Sequence, residues 1–167
     1  MATPSNATVR TVQIGAALAA LIKAGALGSD LKLCRFGNVE RALDLGPLEE
    51  ILPACIVVPS LVVYTGRELS GRNYEPVDNF RITYLFDITD TATDVPTRYS
   101  QDMQSILESL ATDLTLTSAN GFTPPQGVIS SMPQSLEWFP PEDATLKAAG
   151  LPIKAVVLAW AVRWMAR

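Results

Sequence analysis

Two long, apolar segments rich in β-branched residues constrain the fold more than any other feature of this chain. They are Phe80–Asp90, FRITYLFDITD, and Ile153–Arg167, IKAVVLAWAVRWMAR. In the first, large apolar side chains alternate with mostly polar ones, which predicts a half-buried antiparallel strand. The second fits both helical and strand periodicity, and its β-branched and aromatic residues favour a strand. Such strands need neighbours, either within a compact domain or in other subunits.

Two helices are predicted to flank the sheet. The first runs from about Val9 to Lys23, with Thr8 as its cap and with Gly25 and Gly28 ending it. The second begins at Thr97 or Ser100 and is the clearest amphipathic helix of the chain. Its apolar positions recur at helical spacing: Met103, Ile106, Leu107, Leu110 and Leu114.

The other strands are shorter or interrupted. Leu31–Phe36 is a weak strand pattern, and Pro53–Tyr64 carries two β-branched runs divided by Pro59, which implies an edge, a bulge or a strand end. Residues 65–79 are rich in glycine and charge and predict a protruding loop, and Ser135–Phe139 predicts a short strand. We therefore expect one α+β (mixed α/β) domain over residues 1–167, in which two main helices flank a central, mostly antiparallel sheet.

The charged residues and the absence of histidine argue against several classes of function. Thirteen Lys and Arg face seventeen Asp and Glu, and no basic run exists, so tight nucleic-acid binding is not expected. The chain contains no histidine, which excludes Ser-His-Asp and Cys-His catalysis and histidine metal ligands. No glycine-rich phosphate loop is present either. We expect no catalytic residues, no metal, no cofactor and no enzymatic activity.

The low share of charge points instead to protein contacts. Hydrophobic residues make up 48% of the chain and charged residues only 18%, which is little charge for a small domain that stays soluble alone. Cys34 and Cys55 are too few and too far apart in sequence for a disulfide framework or a zinc site, so they are interpreted as reduced core residues.

The apolar run Ile14–Ile22 resembles the core of a secretory signal, but Lys23 follows it directly. It is also too short to span a membrane. The sequence therefore predicts that the protein does not associate with membranes. It also predicts that the protein assembles in a cytoplasm.

Two groups of residues are candidates for binding. Trp138, Trp160 and Trp164 could form a stacking platform, but no basic groove accompanies them, which favours core packing or a subunit interface. The charged and aromatic residues of the 65–79 loop fit a docking arm and an ordinary solvated loop equally well.

The order of these segments resembles the tail terminator proteins of long-tailed bacteriophages, including the Mu-like and lambda-like kinds. The resemblance covers nearly the whole chain and rests on element order, length and strand character. It is carried by the opening helix, PACIVVPS with the charged hairpin loop after it, FRITYLFDITD, SQDMQSILESLATDL, Ser135–Phe139 and IKAVVLAWAVRW.

This resemblance implies a homo-oligomeric ring, of about six copies, that caps the tail tube and stops its polymerisation. Such a ring contacts the tail tube protein, the head-tail connector or another neck protein, and the sheath where the tail is contractile. The resemblance also implies that genomic DNA passes through the lumen without sequence-specific binding and that the protein belongs to the virion, in the tail or neck.

We expect seven contact residues, on the basis of residue type and expected exposure alone. They are Arg67, Glu68, Arg72 and Tyr74 in the loop, and Trp160, Arg163 and Trp164 in the last strand.

Two alternatives stay open. One is another neck component, such as a head-closure or head-tail joining protein. The other is a small ligand-binding domain or enzyme that uses the sheet face near Tyr84, Asp87 and Trp160.

Overall fold

A computed structural model describes residues 5–65, 75–87, 95–116, 128–138 and 141–164. The helices are α1 (Ser5–Ala24), α2 (Val39–Leu43), α3 (Leu48–Ile51), α4 (Val95–Ala111) and α5 (Pro141–Ala148), with a 3₁₀ turn at Ala26–Ser29. The strands are β1 (Leu33–Phe36), β2 (Ala54–Thr65), β3 (Glu75–Asp87), β4 (Val128–Glu137) and β5 (Ile153–Trp164).

The strands form one five-stranded sheet in the order β1-β2-β3-β5-β4. Among the described strands only β1 and β2 are parallel neighbours, and each of the other neighbouring pairs is antiparallel. The predicted α+β class, with a mostly antiparallel sheet and helices packed on it, is confirmed.

The main core lies between the sheet and the two long helices. Alternation along the strands places Cys55, Tyr84 and Val156 side by side on what we call the first face. This face packs against the apolar sides of α1 and α4, whose buried residues include Leu18 and Met103. In this layer the predicted alternating strand, β3, packs in one core with the predicted amphipathic helix, α4.

A smaller core lies on the opposite side, which we call the second face. Here Ala54, Leu85 and Ala155 are neighbours in the sheet and pack with residues of α2, α3 and α5. β3 is consequently buried on both faces at this end, since Thr83 and Leu85 are inaccessible to solvent. The expectation that β3 is buried on one face only is wrong there, because three short helices cover the second face.

The long helices agree with their predicted positions, but their ends differ. α1 begins at Ser5 and so does not use Thr8 as its cap, and it ends at Ala24, just before Gly25, as expected. α4 begins at Val95 and ends at Ala111. Leu114 therefore lies beyond the helix and is exposed, although it continues the apolar spacing.

Two predictions in the second half of the sheet are corrected by strand pairing. Residues 75–79, expected to belong to the loop, form the first part of β3, because β2 pairs with all of them and β5 pairs with 77–79. β4 begins at Val128, earlier than the predicted start at Ser135, because β5 offers backbone partners along its length. Thr65, also expected in the loop, is the last residue of β2, and residues 66–74 lie outside the described residues.

Candidate subunit interface

The sheet has an open edge on each side. β1 pairs only with Ala54–Val57 of β2, so within the described residues the β2 backbone from Val58 to Thr65 has no strand on that side. We call this segment the β2 edge. On the opposite side β4 is the outermost strand of the described sheet, and we call Val128–Trp138 the β4 edge. Such edges are sites where another chain can add.

These two edges carry most of the large hydrophobic side chains that solvent reaches. Among the described residues nine such side chains are exposed, and six of them lie on the two edges: Leu61, Val63, Ile129, Met132, Leu136 and Trp138. Leu61 is 60% exposed and Met132 is 50% exposed. Single exposed apolar residues are common on any protein, but their concentration along two sheet edges is a feature of protein interaction sites.

Charged side chains, which usually protect an edge strand, are scarce here. The β2 edge contains none, and the β4 edge contains only Glu137. Glu137 lies 3.5 Å from the guanidinium of Arg81 on the neighbouring part of the second face. Both edges therefore combine apolar side chains with little charge to discourage association.

Each edge is interrupted by a proline and a change of register. The pairing of β2 with β3 shifts between Pro59 and Leu61, and the pairing of β4 with β5 shifts between Pro133 and Ser135 and also between Val128 and Ser130. Proline has no N–H to donate, so neither edge offers an unbroken backbone ladder. The irregularity implied by Pro59 is thus confirmed as a register shift within the continuous strand β2, and we expect contacts at these edges to depend largely on side chains.

Of the seven contact residues predicted from the sequence, four lie outside the described residues, one is exposed and two are buried. Arg67, Glu68, Arg72 and Tyr74 lie outside the described residues, and their role stays a prediction. Arg163 is exposed on the second face, where its register partner is Val77.

The two tryptophans of the predicted contact set belong to the core instead. Trp160 is 1% exposed and Trp164 is 3% exposed, and both pack in the main core. Their selection as surface contacts is wrong, because the first face that they share is covered by the long helices. Of the three tryptophans, only Trp138 is exposed, so they do not form a common stacking platform.

The buried carboxylate of Asp78 on β3 forms a hydrogen bond with α1. Asp78 is inaccessible to solvent, and its two oxygens accept hydrogen bonds from the Thr11 hydroxyl at 2.8 Å and the Trp164 indole N–H at 3.1 Å. The Arg10 guanidinium lies 4.9 Å from the centre of the Trp164 ring. Burial raises the pKa of Asp78, although both hydrogen bonds oppose the increase. Sequence reasoning missed this residue because it placed Asp78 in the loop.

The two cysteines, distant in sequence, are neighbours in the structure. Cys34 and Cys55 are register partners on the parallel strands β1 and β2, and both are free thiols. Hydrogen bonding from Cys55 lowers the pKa of the Cys34 thiol, with Lys23 assisting and burial opposing. The pKa of the fully buried Cys55 is raised, chiefly by that same bond. Sequence spacing could not show this pair, because strand pairing brings the cysteines together.

The residues proposed for a ligand site do not form one. Tyr84 and Trp160 are buried on the first face, and the Tyr84 hydroxyl donates to Asp102 of α4, whereas Asp87 is exposed. A cavity of about 250 Å³ does lie on the second face, lined by Asn38, Val39, Leu43, Val58, Arg81, Thr145 and Leu146. Its volume is below the usual range for small-molecule sites, so it supports a ligand-binding function less than the edges support assembly.

The described residues show neither a metal-binding cluster nor a membrane-spanning helix. The described part of the chain holds no cluster of three or more His, Cys, Asp or Glu residues suited to a metal ion. No helix within it has the length and apolar character needed to cross a membrane. Neither the models of known protein families nor the curated protein sequences include a match to this chain.

Proposed function

We propose that this chain is a structural subunit of the bacteriophage neck, a tail terminator that assembles into a closed ring of about six copies. The ring caps the tail tube, stops its polymerisation and presents a surface for joining the head. The terminator role rests on the resemblance of the segment order, and the observation that supports self-assembly is the concentration of exposed apolar side chains on two opposite edges of one sheet, with little charge on either. A free monomer would leave both edges in water, whereas a closed ring covers them in every subunit.

The mechanism is steric. A ring subunit binds the last ring of the tube through a complementary surface and lacks the groups to which a further tube subunit would bind. Partners are therefore further copies of the chain, the tail tube protein, the connector or a neighbouring neck protein, and the sheath where the tail contracts. The protein assembles in the host cytoplasm and becomes part of the virion.

The charge of the chain is compatible with DNA passing through the ring. Its formal net charge is −4, and an acidic ring repels phosphates and does not hold them. DNA crosses the lumen without sequence-specific contacts, and the subunit needs no cofactor and performs no reaction.

The proposal is tested by the mass of the purified protein and its behaviour with tail tubes. Light scattering measures the mass in solution, and negative-stain imaging shows the particles alone and after mixing with cognate tubes. Rings in solution, or rings only at tube ends, support the proposal. A monomer that also ignores tube ends contradicts it. Binding at the connector with no binding to tubes would favour the alternative of a head-closure or joining protein.

A further inference from the structure

We infer that the ring is built head to tail, with the β4 edge of one copy packed against the β2 edge of the next. This inference rests on the proposed self-assembly and adds to it by assigning the two surfaces that meet. The occupant of each edge is a second copy of this chain.

Strand direction gives the first reason. β2 runs antiparallel to β3, β3 to β5 and β5 to β4, so β2 and β4 run in opposite directions on opposite sides of the sheet. When two copies lie side by side with the same face up, the β4 edge of one meets the β2 edge of the other in antiparallel orientation. The alternation of strand direction therefore continues from one copy to the next.

The second reason is that a single kind of contact covers the exposed apolar side chains of both edges. A two-fold dimer through the β4 edge would cover Met132 and its neighbours but would leave Leu61 and Val63 of the β2 edge exposed. One head-to-tail contact covers both sets in every copy, and its two surfaces differ. Contacts between unlike surfaces close into rings when the rotation between subunits closes.

The prolines explain how such a contact stays specific. Pro59 and Pro133 interrupt the donors of the two edges, and each lies beside a register shift. Long strand pairing of the kind that forms fibres is therefore restricted, and side chains such as Leu61 and Met132 determine the fit.

Two single substitutions test the arrangement. Leu61→Asp places a charge on the β2 edge, and Met132→Asp does the same on the β4 edge. Both side chains are at least half exposed, so neither change disturbs a packed core, and circular dichroism and thermal unfolding check the fold. Leu45→Asp is the matched control, because Leu45 is equally exposed but belongs to neither edge.

Each edge variant alone is expected to lose the ring and to remain a monomer by light scattering, while Leu45→Asp assembles like the parent chain. An equal mixture of the two edge variants is expected to form heterodimers and nothing larger, because each variant keeps one intact edge. That complementation requires unlike surfaces and does not occur in a two-fold contact.

The outcomes separate this inference from the proposed function. If the parent chain forms rings and either edge variant does too, the edge assignment is overturned but the terminator function stands. A mixture that stays monomeric overturns the assignment of these two edges as partners and leaves the ring and the terminator function standing. If the parent chain assembles only at tube ends, capping of tubes becomes the readout, and edge variants that cap normally overturn the inference. A parent chain that neither assembles nor binds tubes overturns both.

Discussion

The bond between α1 and the buried Asp78 leads to a prediction about stability and its dependence on pH. Thr11→Val removes the hydroxyl that donates to Asp78 and keeps nearly the same shape. A hydrogen bond to a charged group contributes about 1.5–3 kcal/mol, and we expect about 1.5 kcal/mol here because Thr11 is only half-buried. For a chain of this length the unfolding temperature then falls by roughly 3–6 °C at neutral pH.

The loss should shrink in acid. Burial raises the pKa of Asp78 above its ordinary value of 3.8, so the folded state binds this proton more tightly than the unfolded state does. The contribution of Asp78 to stability is therefore complete below that ordinary value and is lost as the pH rises through the folded-state pKa. Thr11→Val raises the pKa further, so the parent and variant differ most at high pH. Once Asp78 is protonated, only a neutral hydrogen bond of about 0.5 kcal/mol is missing.

Urea unfolding followed by circular dichroism between neutral pH and about pH 3, below the ordinary pKa of an aspartate, measures this difference. Thr11→Ser, which keeps the hydroxyl, is the matched control and should cost less at every pH. In an Asp78→Asn background the cost of Thr11→Val should be small and independent of pH. Equal costs in both backgrounds, unchanged by pH, would refute the reasoning.

Two further predictions concern the lack of room for a side chain at Gly28 and the reactivity of the two cysteines. Gly28→Ala should lower the free energy of unfolding by about 1–3 kcal/mol or more, because an added Cβ would lie 1.8 Å from the Lys23 carbonyl oxygen. Gly46→Ala is the control: the nearest atom to its added Cβ lies at 3.7 Å, so the change should be nearly neutral in the same urea titration. In native protein iodoacetamide should modify Cys34 while Cys55 reacts only after unfolding, since the first thiol is half-buried with a lowered pKa and the second is fully buried. Mass spectrometry of the alkylated protein checks this, and equal labelling of both thiols before unfolding would contradict it.

Local patterns determined which elements form. The strand character of Ile153–Trp164, the register shift at Pro59 and the amphipathic helix containing Met103 are all present as predicted. These features depend on side-chain spacing and on the geometry of proline, which neighbouring residues fix. The composition shows an apolar excess over charge, and among the described residues the structure places six of the nine exposed large hydrophobic side chains on the two sheet edges.

The arrangement of those elements determined the rest. Trp160 and Trp164 lie in the core because α1 and α4 cover the first face, while Met132 and Leu61 are exposed because β4 and the end of β2 lie at the sheet edges. Periodicity states which side chains share a face of a strand but not which strand becomes its neighbour or how far a helix covers it. Those choices depend on pairing between residues far apart in the chain, and they alone brought Asp78 to Thr11 and Cys34 to Cys55.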